Sequence, residues 1–342
     1  MSLSSLSVVV VTWNSAGYIH RCIESLERQS ITNRELIVVD NGSTDDTVDY
    51  LKKKRGGSID RLILNERNIG FAGANNQGLQ QSQGEYIALL NSDAIAEPQW
   101  LEEMLRVANE HPGIGMVACK ILTDQDPTLI DGTGMNIYPD GMSRARGRLE
   151  KDEGQYDRQE EVLLPSGCAA LYRKSMLDRI GHFDDDFFAY CEDIDLGLRA
   201  RLAGWSCVYA PRARVRHIYS GGDRGVSTMK ALNVERNHVW VAVKNFPLRL
   251  LIAAPLYSGW RWLHQAGSLL KGTGMGGRFI SEHSSSRLLL IFIRAYVEAL
   301  GKLPVMLMKR RRVQGQRKLT YREFRNLLDR FRISIEELTE RA

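Results

Sequence analysis

The sequence predicts an α/β protein in which a mostly parallel sheet is flanked by helices and followed by an α-helical C-terminal region. Strand-like and helix-like segments alternate over roughly the first 122 residues, which is the order of a parallel sheet with crossover helices. The charge then changes sign along the chain. Residues 1–246 carry 28 Lys and Arg against 34 Asp and Glu, whereas residues 247–342 carry 18 against 7.

Five short runs rich in Val, Ile and Leu are predicted to be buried parallel strands, because they are apolar throughout and too short for helices. They are residues 7–12, 34–40, 59–64, 86–90 and 116–121. The segments between them predict helices over residues 16–29, 43–53, 72–82 and 98–110. Ser43 and Asp46 resemble a capping box for the second helix, and Pro98 is expected in the first turn of the fourth.

The chain after residue 122 is less regular. Residues 131–165 are rich in Gly, Arg and Glu and predict a loop-rich excursion with short strands. Further strands are expected at residues 168–173 and, at a sheet edge, 206–210, with helices at 174–180, 193–202 and 228–245. The predicted domains are a catalytic domain (1–246), with a nucleotide-binding half (about 1–122) and an acceptor-binding half (about 123–246), and a basic amphipathic helical region (247–342).

The five cysteines are scattered without a CxxC pair. This argues against a disulfide framework or a zinc site and fits a reducing cytosol. Residues 1–7 lack a basic region followed by an apolar core, so no signal peptide is expected. No apolar run reaches the length of a membrane-spanning helix.

Polar residues follow three of the predicted strands, where open parallel sheets bind ligands. They are Thr12, Asn14, Asp40, Asn91, Ser92 and Asp93. We interpret these strand ends as a nucleotide cleft in which Asp40 accepts hydrogen bonds from a base or ribose; alternatively, Asp40 only starts a turn. Asp93, supported by Asn91, suits Mg²⁺ or Mn²⁺, which prefer oxygen ligands. The alternative for Asp93 is a strand-ending turn.

A glycine-rich segment, residues 68–78, includes the candidate ligand-binding residues Asn68, Gly70 and Asn75. Glycine lets a backbone approach a ligand closely, and the start of the following helix offers N–H groups to a diphosphate or a sugar. The segment is not a GxGxxG motif and follows the third strand, which argues against a dinucleotide site.

The densest acidic stretch, residues 184–195, interleaves carboxylates with aromatic side chains. Glu192 and Asp193 lie at the start of a predicted helix, where the helix dipole stabilises carboxylates. Asp195 and Arg199 are four residues apart and predict a structural salt bridge. Residues 184–186 are interpreted as loop and capping residues. His217 follows a strand-like run, and a lone histidine is more often structural than a metal ligand.

Together these motifs resemble family 2 of the inverting glycosyltransferases, which has the GT-A fold, and particularly its bacterial rhamnosyltransferase-like branch. The resemblance covers about residues 7–245. It rests on the ordered set VVVVTWN, VVDNGSTD, NIGFAGANNQG, ALLNSDA, GCAALYRK and AYCEDIDLGLRARLAGW.

The resemblance implies a role for several residues. Asp193 is the expected catalytic base, and Glu192 and Tyr190 are expected at the acceptor. Asp40 is expected to contact the nucleoside. The metal would be held by Asp93, at the last position of the family's DxD motif, and by His217. The first position of that motif is Asn91 here, as is usual in this branch.

The resemblance also implies a nucleotide-diphosphate sugar donor and a glycan or polyprenyl-linked acceptor in cell-surface polysaccharide synthesis. Within the branch, dTDP-L-rhamnose is favoured, followed by UDP-sugars. Residues 198–205 lack the QxxRW motif of processive members, so addition of a single sugar is expected.

The basic C-terminal region predicts amphipathic helices at residues 248–263 and 288–302, followed by a basic cluster at 309–312. Helices of this kind suit an anionic membrane surface, which predicts a cytoplasmic enzyme attached to the inner face of the cell membrane. The alternative is a helical subdomain packed on the catalytic domain or on a partner subunit. In the second case the partner subunit could be another copy of the chain, that is, a homo-oligomer. No nucleic-acid motif accompanies the basic residues, so nucleic acid is not an expected partner.

Three other functions compete with this interpretation. A dinucleotide-dependent oxidoreductase predicts a glycine-rich loop after the first strand, and residues 12–15 do not form one. A non-catalytic carbohydrate-binding or scaffold protein has no need of both Asp93 and Asp193. A sugar nucleotidyltransferase shares the sheet and the metal but releases pyrophosphate.

Overall fold

The computed structural model describes residues 5–218, 228–270 and 285–339, which fall into two compact units. The first contains the described parts of Met1–Met135, Ala145–Ala189 and Trp205–Gly221; the second contains those of Asn136–Arg144, Tyr190–Gly204 and Gly222–Ala342. The compact units therefore do not divide at residue 246, where the charge changes. Of the predicted helical region, residues 271–284 and 340–342 lie outside the described residues.

Strands and helices alternate as predicted through the first half of the chain. The order is β1 (Leu6–Thr12), α1 (Ile19–Glu27), β2 (Glu35–Asp40), α2 (Thr47–Lys54), β3 (Arg61–Leu64), α3 (Gly70–Gln81), β4 (Tyr86–Asn91), β5 (Ala94–Ala96), α4 (Trp100–Glu110) and β6 (Ile114–Thr123). The predicted excursion contains the short strands β7 (Ile130–Gly132), β8 (Met135–Ile137), β9 (Ser143–Ala145) and β10 (Glu160–Val162).

The second half adds two strands and most of the helices. They are β11 (Ala169–Arg173), α5 (Lys174–Ile180), a single 3₁₀ turn (Asp185–Phe187), α6 (Glu192–Leu202), β12 (Ser206–His217), α7 (Thr228–Asn245), α8 (Leu248–Leu270), α9 (Ser285–Gly301), α10 (Leu303–Gly315), α11 (Tyr321–Arg330) and α12 (Ile335–Thr339).

The main sheet of the first unit has the order β10-β12-β6-β11-β4-β1-β2-β3, with β5 paired to β12 and β7 paired to β6. Neighbours β1–β2, β1–β4, β2–β3 and β6–β12 are parallel, whereas β11 is antiparallel to both β4 and β6. The prediction of a mostly parallel sheet flanked by helices is confirmed. Strands β1, β2, β4, β6 and β11 are almost entirely buried because both faces of the sheet are covered, whereas β3 at the edge is partly exposed.

Strand β12 corrects the prediction of a short edge strand at residues 206–210. It runs to His217 and lies inside the sheet, between β10 and β6. The sequence shows a strand-like run before His217, but Pro211 hides its continuity with residues 206–210. A register shift between Ala210 and Arg214 accommodates the proline.

Two predicted helix starts are also wrong. The hydroxyl of Ser43 donates to Asp40 instead of capping a helix, and α2 begins at Thr47, whose N–H donates to Asp45 at 3.1 Å. Pro98 lies outside α4, which begins at Trp100. A side chain that finds a partner within its own turn is not available to cap the next helix.

In the second unit, α7 packs against α6, α9 and α10. The indole N–H of Trp240 on α7 donates to the carbonyl of Ala299 on α9 at 3.2 Å. Arg310 on α10 donates to the carbonyls of Val243 and Phe246 at the C-terminal end of α7. These bonds satisfy carbonyls that a helix end leaves without partners. The C-terminal helices are therefore packed on α7.

Candidate functional site

The carboxyl ends of β1, β2 and β4 meet at one edge of the sheet, as predicted. Thr12 is the register partner of Asp40, and Val11 is the partner of Asn91. The polar residues that follow these strands are therefore neighbours, although they are far apart in the sequence. Thr12 is buried, and its hydroxyl has no hydrogen-bond partner among the described residues, which is rare for a buried polar group.

Asp40 is buried and organises the turn that follows β2. One carboxylate oxygen accepts the N–H groups of Ser43 at 2.9 Å and Gly42 at 3.2 Å, and the other accepts the Ser43 hydroxyl. Gly42 has φ +80, and a Cβ there would lie 2.7 Å from the backbone of Arg67, so the turn requires glycine. Asp40 thus starts the turn, and its contact with a nucleoside stays a prediction.

Asn14 ties the end of β1 to the same turn. Its N–H donates to the Ser43 hydroxyl at 2.8 Å, and its side-chain oxygen accepts the N–H of Thr44 at 2.8 Å. Asn14 has a positive φ of 49, which asparagine tolerates better than most residues. Ser43 is therefore held by both strand ends.

The glycine-rich segment is held by Asn41, which the sequence analysis did not single out. The Asn41 amide donates to the side-chain oxygen of Asn68 at 2.9 Å and accepts the N–H of Ile69 at 3.0 Å. The N–H of Gly70 donates to Asn68 at 2.8 Å, and that of Ala72 donates to the carbonyl of Phe188 at 3.1 Å. Three backbone amides at the start of this segment therefore have protein acceptors, and contact of Asn68, Gly70 and Asn75 with a donor stays a prediction.

Gly70 instead allows the start of α3 to contact the loop before α6. It has φ +85, and a Cβ there would lie 2.6 Å from the Phe188 carbonyl oxygen. Asn76, also on α3, bonds to both the N–H and the carbonyl of Phe183 at 3.0 and 2.9 Å. Asn75 is buried and donates to the carbonyl of Phe71 at 2.9 Å. The segment therefore positions a loop, with Asn76 as the partner that the sequence analysis missed.

Asp93 and His217 lie side by side because β5 pairs with the end of β12. His217 is the register partner of Ala94, and the N–H of Ile218 donates to the Asp93 carbonyl at 2.8 Å. The imidazole Nε2 of His217 lies 3.3 Å from a carboxylate oxygen of Asp93. The two residues predicted to hold a metal are thus brought together, while metal binding itself stays a prediction.

Asp131 on β7 fixes the other side of the same imidazole. Its carboxylate lies 2.8 Å from His217 Nδ1, and Arg148 forms an ion pair with its second oxygen. A histidine that donates one ring N–H to a carboxylate presents its other nitrogen to a metal, in the common carboxylate–histidine–metal arrangement. Asp131 lies in the irregular excursion, where no sequence pattern marks it.

The charges around His217 are mostly negative. Burial disfavours the imidazolium, but Cys168, Asp131 and Asp93 together raise the pKa of His217 well above its ordinary value. Among the described residues, no three His, Cys, Asp or Glu side chains are arranged to hold a metal ion. Asp93 and the deprotonated form of His217 would suit a divalent cation whose other ligands are water and substrate phosphate.

Ser92 and Asn91 complete the end of β4. The Ser92 hydroxyl lies 3.2 Å from that of Ser15, and both are buried. The backbone N–H of Asn91 donates to the carbonyl of Cys168 at 2.8 Å. These contacts anchor the two residues that precede Asp93.

A strained loop precedes α6. Phe188, Tyr190 and Cys191 have positive φ values of 63, 71 and 65. Such values are uncommon for residues other than glycine and cluster at functional sites. In the second unit, the Asn237 amide on α7 donates to the Tyr190 carbonyl at 2.7 Å and helps hold this conformation.

Glu192 and Asp193 follow this loop in the first turn of α6, as predicted, and their environments differ. Glu192 is buried, and burial, together with the charge of Asp193, raises its pKa well above the ordinary value. Asp193 is partly exposed, and one of its oxygens accepts the N–H of Ile194 at 2.8 Å. A buried carboxyl group with a raised pKa beside a partly exposed carboxyl group suits two different roles in acid–base chemistry.

The predicted salt bridge between Asp195 and Arg199 is confirmed at 2.8 Å. The structure adds Lys244 Nζ at 2.8 Å and the Asn245 amide at 2.9 Å, both from α7. Burial opposes the carboxylate, but Lys244 and Arg199 hold the pKa of Asp195 well below its usual range. Asp184 accepts the N–H of Asp186 at 3.2 Å, which confirms its capping role.

Comparison with known proteins identifies relatives of this chain. The family model described as "Glycosyl transferase family 2" matches residues 7–181. The N-acetylglucosaminyl-diphospho-decaprenol L-rhamnosyltransferase of Mycobacterium tuberculosis is 29% identical over 241 residues, which is 62% of this chain and 75% of that protein. The putative glycosyltransferase EpsH of Bacillus subtilis is 26% identical over 202 residues. That match covers 56% of this chain and 56% of EpsH, so the chain spans little more than half the length of this relative.

Among solved structures, GalNAc-T7 with UDP, GalNAc and Mn²⁺ resembles the chain with a TM-score of 0.58. The match covers 71% of this chain and 48% of that one, at 17% sequence identity. At this identity the likeness concerns the fold, and it confirms the GT-A architecture that the sequence predicts.

Proposed function

The chain belongs to glycosyl transferase family 2, and from that membership we propose that it is an inverting, non-processive hexosyltransferase. The favoured reaction moves L-rhamnose from dTDP-rhamnose to a glycan or polyprenyl-linked acceptor in cell-surface polysaccharide synthesis. The rhamnosyltransferase from M. tuberculosis supports this choice of sugar and of a lipid-linked acceptor. The observation that carries the proposal is the contact between Asp93 and His217 at the carboxyl edge of the sheet.

In the proposed reaction, the Asp193 carboxylate takes the proton from an acceptor hydroxyl, and that oxygen attacks the anomeric carbon opposite the departing diphosphate. Because attack and departure occur on opposite faces, the configuration inverts. The transition state has oxocarbenium character, as in glycoside hydrolysis. Glu192 and Tyr190 shape the acceptor pocket. Because the pKa of Glu192 is raised, its neutral form is favoured beside the base.

A divalent cation, Mg²⁺ or Mn²⁺, would be held by Asp93 and His217 and would neutralise charge on the leaving diphosphate. The Mn²⁺ in the structure of GalNAc-T7 supports this choice. Asp40, Asn14 and the Thr12 hydroxyl form the proposed nucleotide-binding edge.

Screening nucleotide sugars with Mg²⁺ or Mn²⁺ and identifying the nucleotide product tests this function. A nucleoside diphosphate together with a glycosylated acceptor is the expected result. UDP-sugars are the second candidate donors, because GalNAc-T7 binds UDP. Release of pyrophosphate from a sugar phosphate and a nucleoside triphosphate would identify a nucleotidyltransferase instead.

Asp93→Ala is expected to weaken Mn²⁺ binding by more than about 100-fold, because it removes a proposed direct ligand. Loss of a residue that only orients a ligand usually weakens binding by about 10–100-fold. Calorimetric titration with Mn²⁺ measures the metal affinity. Titration with donor, in the presence and in the absence of Mn²⁺, measures the metal dependence of donor binding. Donor binding should lose its metal dependence in the variant. Activity that resists both EDTA and Asp93→Ala would refute the metal role.

Asp131→Asn is expected to weaken Mn²⁺ binding by about 10–100-fold, because the imidazole of His217 loses its orienting carboxylate. Asp124→Asn is the matched control. The Asp124 carboxylate pairs with Arg21 at 2.9 Å and Arg216 at 3.6 Å. The backbone N–H of Asp124, which the substitution keeps, donates to the carbonyl of His217 at 2.9 Å. Equal Mn²⁺ affinities in the Asp131 and Asp124 variants would show that Asp131 does not act through His217.

The location of the protein is also a proposal. No helix within the described ranges is long and apolar enough to cross a bilayer. We place the enzyme in the cytoplasm, at the inner face of the cell membrane, where a polyprenyl-linked acceptor is accessible to it.

A further inference from the structure

Helix α8 buries polar side chains near its middle and exposes most of its large apolar side chains. Ala254, Ser258 and Arg261 are buried, whereas the large residues two positions away are mostly exposed. Residues two apart in a helix point about 200° apart, so these are opposite faces. The exposed fractions are 63% for Leu248, 69% for Ile252, 78% for Leu256 and 68% for Leu263.

The inner face of α8 is held by a buried ionic network. Arg261 donates to Asp140 at 2.8 Å and to both carboxylate oxygens of Glu235 at 2.8 and 3.0 Å. Burial opposes its charge, but Glu235 and Asp140 raise the pKa of Arg261 further above its ordinary range. A surface helix in water normally buries its apolar stripe and exposes its charges. In α8 this pattern is reversed.

Helix α9 also exposes large apolar side chains. Ile291, Ala295 and Ala299 are buried, and larger apolar residues lie outside. Trp262 of α8 contacts Tyr296 of α9, with ring centroids 5.1 Å apart, so the two helices are neighbours. We call the exposed apolar residues of these helices the apolar outer face: Leu248, Ile252, Leu256, Trp260, Leu263, Leu289, Leu290, Ile293, Val297 and Leu300.

The helices that carry this face, and the helix that follows them, are positively charged. Helices α8, α9 and α10 contain eight Lys and Arg and one acidic residue, Glu298, which pairs with Arg236 at 3.0 Å and Arg294 at 2.8 Å. Arg287, Arg294, Arg311 and Arg312 are exposed. Two copies joined through these helices would bring like charges together, which opposes association.

We propose that the apolar outer face docks on an anionic phospholipid surface, with α8 and α9 lying in the plane of the interface. Leucine and isoleucine side chains enter the boundary of the acyl chains, Trp260 lies at the headgroup level, and the arginines contact lipid phosphates. The choice of leaflet rests on the proposed function. The surface itself does not depend on transferase activity.

Flotation of the full-length chain with vesicles tests this proposal, using vesicles of phosphatidylcholine alone or with about one-third phosphatidylglycerol. We expect the wild type to float with the anionic vesicles. Leu256→Gln/Leu263→Gln should partition at least about tenfold more weakly, because two apolar side chains no longer enter the boundary. Leu64→Gln/Leu149→Gln alters exposed leucines in the first unit and should float like the wild type.

A second double variant tests the contribution of positive charge to vesicle binding. Arg311→Gln/Arg312→Gln should bind anionic vesicles about fivefold more weakly for each cation removed, with a smaller difference at high salt. Thermal unfolding of each variant checks that the fold is intact. We expect it to be, because the substituted side chains are exposed.

Two results would overturn the proposal. One is a wild type that does not float with anionic vesicles; the other is a Leu256→Gln/Leu263→Gln variant that floats as well as the wild type. A dimer in sedimentation that this variant dissociates, without vesicle binding by the wild type, would assign the face to a second copy of the chain. Transfer to a water-soluble acceptor, measured on the same variants, separates loss of docking from failure of the proposed function.

Discussion

Asp193→Asn is expected to lower the turnover number by about 10²–10⁴-fold and to leave donor binding near that of the wild type. This is the range usually lost when a general base is removed. An amide cannot take the proton of the acceptor hydroxyl, yet it keeps the size of the side chain and can still accept the N–H of Ile194. Steady-state kinetics gives the turnover, and calorimetry with donor and Mn²⁺ gives the binding.

The adjacent Glu192 supplies the sharpest comparison. Burial and the charge of Asp193 raise the pKa of Glu192, which favours its neutral acid, and Glu192→Gln resembles that form. This variant should therefore lose much less turnover than Asp193→Asn. Asp329→Asn, at an exposed site on α11, controls for an altered charge in the second unit. Near-normal turnover of Asp193→Asn would remove it as the base.

Asp195→Asn is expected to lower the free energy of unfolding by about 3–5 kcal/mol, because it leaves buried cations without their counter-charge. Arg199 and Lys244 both contact the same carboxylate oxygen at 2.8 Å, and all three side chains are buried. Urea denaturation of wild type and variant measures the difference. The effect should be structural, since Asp195 is enclosed between α6 and α7.

Asp178→Asn is the matched control, because Asp178 also pairs with a basic residue four positions away on a helix, Lys174 at 3.3 Å. That pair is exposed, so its loss should change stability by less than about 1 kcal/mol.

The pKa of Asp195 is lowered in the folded protein, so its contribution to stability is full above the ordinary pKa of aspartate. That contribution is lost as the pH falls through the lowered value. The difference between the wild type and Asp195→Asn should therefore narrow on acidification. Equal stabilities of the Asp195 and Asp178 variants at neutral pH would contradict the argument.

Part of the candidate site could be predicted from local patterns. Asp93 follows a fully apolar strand, and Glu192 and Asp193 stand where a helix begins, so each could be selected from neighbouring residues. His217 gained its role from the family resemblance rather than from its own surroundings. Asp131 carried no signal, because it lies in a short strand within an irregular stretch, and its importance comes from contact with a ring on another strand.

In the glycine-rich segment, a clear motif left open which group approaches the glycines. Glycine permits close approach of any group, and the sequence does not say whether that group is a ligand or another part of the chain. The structure shows that Gly70 admits the backbone of Phe188. Asn41 and Asn76, which occupy the backbone groups nearby, could not be distinguished from other asparagines.

The amino-acid sequence alone determined the alternation of strands and helices, the family, the Asp195–Arg199 pair and the change of charge along the chain. These follow from residues a few positions apart, whose periodicity and spacing are local. The tertiary structure decided which distant segments pair. The pairing of β12 with β5 places His217 against Asp93, α7 brings Lys244 to Asp195, and buried Arg261 orients the apolar side of α8 outward. Long-range register and the burial of ion pairs depend on the whole packed chain, so a local pattern does not contain them.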